Sequence, residues 1–263
     1  MAVRIVVSGA TGRMGGQLGR LARATDDLEL VGGIAPDERP VDSPYPTVLP
    51  AESAAALLAD CDVLIDFSAP AHIASLLRAH AGTLAGRAIV IGTTGLDDAA
   101  RSAIDDAAAR SAVLVAANFS VGVNLLLELT RRAARALGST GYDVEIVEAH
   151  HRHKADAPSG TALALGRAVA DGRGIPLEQV RRDGRTGVGG ERPRGEIAFH
   201  ALRGGEIVGE HEVRFIGASE RVTLAHVASD RALFAEGALR AARWLAGRDS
   251  GSYTMSDVLG LGD

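Results

Sequence analysis

The chain opens with a β-branched run, Val3 to Val7, that leads into a turn with glycines at Gly9, Gly12 and Gly15 and then into an amphipathic stretch, Leu18 to Ala22. In a dinucleotide-binding turn the glycines allow a tight reversal and close approach to a pyrophosphate, and the helix start supplies N–H groups. The spacing is G-x-x-G-x-x-G rather than G-x-G-x-x-G, and similar turns occur in proteins that bind no nucleotide. Its position directly after a buried-type strand favours a dinucleotide-binding unit.

Strand-like and helical runs alternate after this turn. The predicted strands are Leu28 to Ile34, Val63 to Phe67, Ala88 to Ile91 and Val113 to Ala116, and the predicted helices are 51–59, 70–81 and 97–110. This alternation predicts a parallel sheet covered on both faces. Polar or glycine residues follow three of these strands, at 66–68, 92–95 and 117–120. Because ligands of open α/β sheets bind outside the carboxyl ends of the strands, these turns should line one crevice with the glycine turn.

The pattern changes after Ser120. A predicted helix, Val123 to Leu137, and a strand, Asp143 to Ala149, come before a glycine- and arginine-rich loop at 181–195. Stretches of period 2 then follow one another with no helix between them, at Glu196 to Leu202, Ile207 to Ile216 and Arg221 to Ala228. Such a run predicts a mixed, largely antiparallel sheet.

A last predicted helix, Arg231 to Leu245, leads to a tail, Tyr253 to Leu261, which we expect to pack back on the first domain. The predicted fold is therefore α/β. It combines a Rossmann-type dinucleotide-binding domain, residues 1–120 completed by 231–263, with a second α+β domain, residues 121–230.

Lys154 is the only lysine among the 263 residues, in a chain that otherwise uses arginine for positive charge. It ends the run Glu148-Ala149-His150-His151-Arg152-His153-Lys154, which holds three of the eight histidines. An ammonium is a compact charge whose pKa can be moved, whereas a guanidinium stays protonated. Imidazoles titrate near neutral pH, so the cluster is suited to general acid chemistry. A compositional bias that happens to retain one lysine is the alternative.

A helix start follows this cluster. Pro158 and Ser159 precede a helically spaced Ala/Leu-rich run, and the first N–H groups of a helix lack internal partners. With Gly160 allowing close approach and the Thr161 hydroxyl able to donate, this turn is suited to a carboxylate or phosphate. The alternative is that Ser159 and Thr161 only cap the helix. The adjoining cationic cluster favours anion binding.

Composition narrows the classes of function. The 46% hydrophobic content supports a folded core, while a net charge of −5 and 3% aromatic residues argue against nucleic acid as a partner. No apolar run approaches the roughly 18 residues that a membrane helix needs, so we expect no membrane partner. The single cysteine, Cys61, excludes an intrachain disulfide and is compatible with a reducing compartment. We expect a cytoplasmic protein.

These motifs together resemble the dihydrodipicolinate (4-hydroxy-tetrahydrodipicolinate) reductases of the diaminopimelate route to lysine. The resemblance rests on the run 148–154 with Asp156-Ala157-Pro158-Ser159-Gly160-Thr161-Ala162, and it extends to Gly9 to Gly15, Asp66-Phe67-Ser68, Gly92 to Gly95 and Ala117 to Gly122. It implies a homotetramer assembled through the second-domain sheets. It also implies NADPH or NADH bound by the first domain and a cyclic dicarboxylate bound by the second.

The resemblance also implies a role for each matching residue. His150 would be a proton donor or acceptor and Lys154 a proton donor, while His151, Gly160 and Thr161 would hold the substrate. The implied coenzyme contacts are Gly9, Ala10, Thr11, Gly12, Arg13, Met14, Gly92, Thr93, Thr94, Ala116, Ala117, Asn118 and Phe119. No metal site is implied.

The end of the second strand departs from the family pattern. Family members place an acidic residue there for the adenosine ribose, sometimes followed by an arginine for the 2′-phosphate. This chain has Ala35-Pro36, with Asp37, Glu38 and Arg39 just beyond. An acidic residue favours NADH and an arginine favours NADPH, so we predict use of both coenzymes.

Three alternatives remain open. A semialdehyde or aspartate dehydrogenase would share the first domain, but an acylating type needs a nucleophilic cysteine, and Cys61 precedes a strand rather than ending one. A metal site built from Glu148 and the histidines is disfavoured because adjacent residues of a strand face opposite ways. A regulator that binds a nicotinamide coenzyme without turnover would need no proton donor.

Overall fold

The computed structural model describes residues 1–36 and 43–262. The chain divides into two compact units, residues 1–120 with 232–263, and residues 121–231. Arg231, which the sequence analysis assigned to the first domain, lies in the second unit, where its Nη2 donates to His151 Nε2 at 3.1 Å. Among the described residues, none of the helices combines the length and hydropathy needed to cross a bilayer.

The strands, in chain order, are β1 (Val3–Ser8), β2 (Leu28–Ile34), β3 (Val48–Leu49), β4 (Val63–Asp66), β5 (Ala88–Ile91), β6 (Ala112–Val115), β7 (Asp143–His150), β8 (Arg181–Asp183), β9 (Ile197–Arg203), β10 (Gly209–Ile216), β11 (Arg221–Ala228) and β12 (Gly251–Tyr253). The helices are α1 (Arg13–Arg23), α2 (Ala55–Ala59), α3 (Pro70–Ala79), α4 (Ala81–Leu84), α5 (Asp98–Ala108), α6 (Val121–Leu137), α7 (Gly160–Arg173), α8 (Leu177–Val180), α9 (Ala232–Leu245) and α10 (Met255–Leu259). A 3-10 turn lies at Ala51–Ser53.

The first unit is built on a parallel sheet with the strand order β12-β6-β5-β4-β1-β2-β3. Its central strands are buried on both faces, with Ile5 and Val7 in one apolar layer and Val6 and Leu64 in the other. This confirms the predicted Rossmann-type sheet. The tail does return to this unit, because β12 pairs with β6.

Some predicted helices differ in detail from those observed. The run predicted as one helix at 51–59 is a 3-10 turn followed by α2, and the run at 70–81 is divided between α3 and α4 at His80. The long helix of the second unit begins at Val121, two residues before its predicted start. These differences lie at element ends, where apolar spacing carries the least information.

The second unit contains a sheet with the order β11-β10-β7-β9-β8. The β10–β11 and β10–β7 pairings are antiparallel, whereas β7–β9 and β8–β9 are parallel. The prediction of a mixed sheet is confirmed, with the pairings evenly divided rather than largely antiparallel. Part of the reason is β8, a short parallel edge strand inside the stretch predicted as a loop.

Helices α6 and α7 pack on one face of this sheet, which we call the covered face. Its apolar residues include Val144, Ile146, Phe199 and Val213. The two helices pack closely on each other, since a Cβ at Gly172 would lie 2.4 Å from the carbonyl oxygen of Arg131. Helix α7 also packs closely on the sheet, since a Cβ at Gly166 would lie 2.3 Å from the Phe199 ring. Side chains alternate along a strand, so the neighbouring positions form the opposite, open face. The open face includes Glu145 and Val147 of β7, Leu202 of β9, Ile216 of β10 and Val227 of β11.

Candidate active site

The carboxyl end of β7 brings Glu148 and His150 onto the covered face. Glu148 is only 1% exposed, and its carboxylate accepts a hydrogen bond from His150 Nδ1 at 2.6 Å. Arg203 of β9 donates to both oxygens, at 2.8 and 2.7 Å, and the backbone N–H of Ser159 donates at 3.0 Å. Burial alone would raise the pKa of Glu148, but the bonds from Arg203, His150 and Ser159 outweigh it and lower that pKa. Glu148 is thus a buried carboxylate that stays ionised.

His150 lies in an environment that disfavours its charged form. Burial lowers its pKa and is the largest effect, the nearby charges of Lys154 and Arg203 lower it further, and Glu148 opposes them without reversing the direction. The His150 ring packs edge-on against the ring of His211 from β10, with centroids 5.1 Å apart. The neutral imidazole is therefore favoured, with a charged form held within reach by Glu148.

The loop after β7 carries the other predicted residues of the cluster. His151 accepts from Arg231 through Nε2, and its backbone N–H donates to the carbonyl of Ile207 at 2.8 Å. Lys154 Nζ lies 2.8 Å from Asp156 Oδ1, and this contact lowers the pKa of the Asp156 carboxyl. Lys154 is therefore a half-buried cation on the same short loop as His151, and its backbone N–H donates to the His151 carbonyl at 3.1 Å.

Helix α7 begins at Gly160, directly after this loop. The Ser159 side chain accepts from the Ala162 N–H at 3.2 Å, so Ser159 is a true N-cap, as the capping alternative predicted. The same hydroxyl lies 3.2 Å from His211 Nε2. Burial lowers the pKa of His211 to about 4, so His211 is neutral, and a single hydrogen bond joins its Nε2 to the Ser159 hydroxyl. Gly160 is exposed and Thr161 half-buried in the first turn of the helix.

The predicted coenzyme turn lies between β1 and α1 in the first unit. Gly9 has a φ of 80°, and a Cβ there would lie 2.4 Å from the Phe67 carbonyl oxygen, so only glycine fits. A Cβ at Gly15 would lie 2.2 Å from the Gly9 carbonyl oxygen. Within the described part of the chain, Gly12 gives α1 no capping side chain and its first turn has no acidic residue. Such a helix start suits an anion, and a nicotinamide dinucleotide fits here through its pyrophosphate.

The exposed positions of this turn are Thr11, Gly12 and Arg13, whereas Ala10 is 4% exposed and packs against Gly33. Met14 is half-buried and packs against the core of the first unit. Ala10 therefore shapes the turn from below, and a bound dinucleotide would meet its backbone rather than its side chain.

The ends of β4 and β5 are joined by a buried polar network. The Asp66 carboxylate is fully buried and accepts from the hydroxyls of Ser68 and Thr93, each at 2.6 Å. The Thr93 hydroxyl also accepts from the Ser68 N–H at 2.9 Å, so that side chain is already engaged. A Cβ at Gly92 would lie 2.2 Å from the Phe67 ring, while Thr94 is exposed. Thr94 is therefore the side chain of this turn that faces solvent.

The segment after β6 holds the last predicted coenzyme residues. Ala117 is exposed and Ala116 and Asn118 are half-buried, and Asn118 Oδ1 accepts from the Ser120 N–H at 2.8 Å. Phe119 is 2% exposed, with its ring 5.5 Å from that of Phe67. Phe119 is thus part of the core, and its neighbours offer the accessible atoms.

The structure describes the residues on which two of the alternatives depend, the acylating dehydrogenase and the metal site. Cys61 is fully buried, and burial raises the pKa of its thiol to about 11, so it is unsuited to nucleophilic chemistry. No group of three His, Cys, Asp or Glu side chains is arranged to hold a metal ion in residues 1–36 and 43–262. Ala35 is 1% exposed at the end of β2, while Asp37, Glu38 and Arg39 lie outside the described residues.

Sequence reasoning did not assign roles to Arg203, His211 or Asp66, and it named Glu148 only as a possible metal ligand. Period-2 alternation places Glu148 and His150 on one face of β7, which is a signal that can be found in the sequence. Arg203 and His211 reach this site through the pairings of β9 and β10 with β7. These long-range pairings have no local signature.

Comparison with known proteins agrees with this architecture. The family model described as dihydrodipicolinate reductase, N-terminus, matches residues 3–119, and the model for the C-terminus matches residues 122–259. A 4-hydroxy-tetrahydrodipicolinate reductase from Parvibaculum lavamentivorans is 48% identical over 98% of each chain. The reductase of the same name from Acidiphilium cryptum is 50% identical, also over 98% of each chain.

Among solved structures, the dipicolinate-bound dihydrodipicolinate reductase from Paenisporosarcina sp. TG-14 superposes with a TM-score of 0.76. It covers 97% of this chain and 98% of its own at 23% identity, and so supports the fold. Matches to both family models and relatives of about half-identical sequence along nearly the whole chain establish that the protein belongs to the dihydrodipicolinate reductase family and is a nicotinamide-dependent oxidoreductase.

Proposed function

We propose that this protein reduces 4-hydroxy-tetrahydrodipicolinate, or the dihydrodipicolinate formed from it, to tetrahydrodipicolinate in lysine and diaminopimelate biosynthesis. The main support is that one buried carboxylate, Glu148, accepts hydrogen bonds from two groups. These are the titratable imidazole of His150 and the N–H of Ser159 at the start of α7. A proton-handling group and an anion-binding helix start are thereby held side by side. A small cyclic dicarboxylate that must be protonated during reduction matches both.

A bound nicotinamide coenzyme would supply a hydride to C4 of the substrate ring, and the protein would have to deliver one proton to the ring carbon that becomes electron-rich. His150 and Lys154 are the groups we assign to that proton. The Nδ1 of His150 is occupied by Glu148, so Nε2 is the nitrogen available for exchange. His151, Gly160 and Thr161 would hold the carboxylates, using the helix start, the Thr161 hydroxyl and the His151 ring.

The coenzyme is proposed to be NADPH or NADH, bound by residues 9–14, 92–94 and 116–119. The glycine turn offers backbone to the pyrophosphate, while Ala35 and Pro36 bring neither a carboxylate nor a cation to the end of β2. We expect similar kcat/KM for both coenzymes, and a bias of about a hundredfold either way would contradict this.

We propose that the protein is a homotetramer assembled through the open face of the second sheet. Apolar side chains are exposed there, with Leu202 55%, Val227 64% and Ile216 36% exposed. Burying these side chains between subunits would remove apolar surface from water, which favours an interface on this face. A Val227→Glu variant should lower the mass measured by light scattering, and an unchanged tetramer would exclude this face. The buried Cys61 is compatible with the reducing cytoplasm, where we place the protein.

The proposed reaction is tested by following oxidation of NADPH and NADH with enzymatically generated substrate, alongside calorimetric binding of pyridine-2,6-dicarboxylate. Thr161→Val should raise KM and weaken that binding by about tenfold with kcat little changed, because it removes one donor to the substrate. Thr140→Val, in the exposed segment between α6 and β7, is the matched control and should change neither. Coenzyme binding without oxidation would instead indicate a regulator, and unchanged dicarboxylate binding in Thr161→Val would contradict the assigned site.

A further inference from the structure

Glu148 neither holds substrate nor transfers a proton in the reaction proposed above, yet it accepts more hydrogen bonds than any other carboxylate of the site. It receives hydrogen bonds from His150 Nδ1, from both terminal nitrogens of Arg203 and from the Ser159 N–H. At 1% exposure it is shielded from solvent. Burying an ionised carboxylate costs free energy that its hydrogen bonds must offset. An apolar side chain would avoid this cost, so we look for a role that only a carboxylate can fill.

One consequence concerns the His150 ring. An ionised carboxylate only accepts hydrogen bonds, so the proton between Glu148 and His150 belongs to Nδ1. This fixes the tautomer and the orientation of the ring, and it leaves Nε2 as the free nitrogen. Nε2 lies close to β10, where a Cβ at Gly209 would be only 3.2 Å from it. Glycine at this position leaves room beside the reacting nitrogen.

A second consequence concerns the start of α7. The Ser159 N–H donates to Glu148 Oε1, while the Ser159 hydroxyl caps the Ala162 N–H. Glu148 therefore fixes the residue that begins the helix as well as the imidazole. Arg203 holds this arrangement from β9 and also donates to the Asp156 carbonyl at 2.7 Å.

The charged and titratable groups that face His150 come from four elements. Glu148 of β7 favours the imidazolium, Arg203 of β9 and Lys154 of the following loop disfavour it, and His211 of β10 packs against the ring. Removing Glu148 and removing Arg203 should therefore act on His150 in opposite directions. A residue that merely supports the fold would not produce this pair of signs.

We propose that Glu148 is the positioning residue of this active site, which holds His150 by Nδ1 so that Nε2 exchanges the proton with substrate and which anchors the start of α7 through Ser159. The inference rests on the proposed function, since it acts through His150. Arg203 aligns Glu148 from β9, while the bonds from His150 and the Ser159 N–H remain to hold the carboxylate charge when Arg203 is removed.

The test is the pH dependence of kcat for Glu148→Gln and Arg203→Gln. An opposite charge in contact typically shifts a pKa by about 1 to 3 units. The limb of the kcat–pH profile in which His150 titrates should therefore move about one unit or more to lower pH in Glu148→Gln. In Arg203→Gln it should move to higher pH. Glu178→Gln, the same chemical change on an exposed residue of α8, should leave the profile unchanged. Folding of each variant is checked by circular dichroism.

A double-variant cycle separates this inference from the proposed function. If Glu148 acts through His150, Glu148→Gln alone should lower kcat about tenfold or more at pH values above the shifted limb. In the His150→Gln background the same change should lower kcat by less than about twofold. Additive losses, or limbs that move in the same direction or not at all, overturn the positioning role. Wild-type kcat in His150→Gln would instead overturn the proposed function. If Glu148→Gln does not fold, the upward shift in Arg203→Gln decides the question alone.

Discussion

Strand β7 carries two glutamate–histidine–arginine groups on its opposite faces. On the covered face Glu148 bonds His150 at 2.6 Å and Arg203; on the open face Glu145 bonds His200 at 2.6 Å and Arg192 at 2.9 Å. The side chains of Glu148 and His150 are 1% and 12% exposed, against 16% and 36% for Glu145 and His200. The same residue types, with equal glutamate–histidine distances, thus lie in different surroundings. Burial within the subunit, and the α7 start beside only one of them, distinguish the proposed catalytic group from an ion-pair network on the face through which we propose that subunits assemble.

The largest contrast is expected in catalysis. His150→Gln should lower kcat by about 10² to 10⁴, the usual cost of losing a positioned general acid or base, with coenzyme affinity nearly unchanged. His200→Gln, the equivalent change on the open face, should leave kcat within about twofold of wild type. Steady-state kinetics and fluorescence titration with NADPH measure both. Equal losses in the two variants would abolish the distinction between the faces.

A difference in stability should follow the difference in burial. Glu148→Ala leaves Arg203 and His150 without their acceptor and should lower the free energy of unfolding by about 3 kcal/mol or more. Glu145→Ala removes an acceptor that is more exposed within the subunit and should cost about 1 kcal/mol, so both changes are compared in a Val227→Glu background that leaves the open face solvated. Urea unfolding followed by circular dichroism gives both values. A larger loss in Glu145→Ala would show that exposure is a poor guide here.

The covered face should also make stability depend on pH. His211 has a folded-state pKa of about 4, against 6.5 when unperturbed, so the unfolded chain binds the proton more readily. Its contribution is fully present above about pH 6.5 and is lost as pH falls toward 4, by up to about 3 kcal/mol. His211→Asn should flatten this part of the unfolding free energy against pH. His200→Asn serves as the open-face control, and an equal flattening there would contradict the assignment.

The smallest expected effect is that of changing Lys154, the lysine of the loop that follows Glu148 and His150. Lys154→Arg keeps the charge but replaces a compact ammonium by a planar guanidinium, and kcat should fall about tenfold or more. Arg152→Lys, the reverse exchange on an exposed residue of the same loop, should be nearly neutral. Normal activity in Lys154→Arg would remove the argument for a specific ammonium.

Much of this architecture follows from local pattern. The glycine turn, the alternating strands and the cluster at 148–154 predict the Rossmann-type unit and the end of β7, because side-chain period and turn chemistry are written in neighbouring residues. The pairing of Glu148 with Arg203 is not predictable in this way, since 55 residues separate them. His211 is similarly distant, and its lowered pKa depends on burial rather than on sequence context. The residues that tune the site therefore come from sheet topology.

The return of the chain to its first sheet has a consequence for synthesis on the ribosome. Helix α9 fills the core of the first unit with Ala235, Ala238 and Leu245, each fully buried, and β12 then extends the sheet beside β6. Residues 1–120 therefore leave the ribosome long before α9 and β12, which complete their core and sheet. Residues 121–231 are contiguous and can complete their own core earlier. During translation the unit made first is finished last, so its exposed apolar surface is the part of the nascent chain that most needs protection.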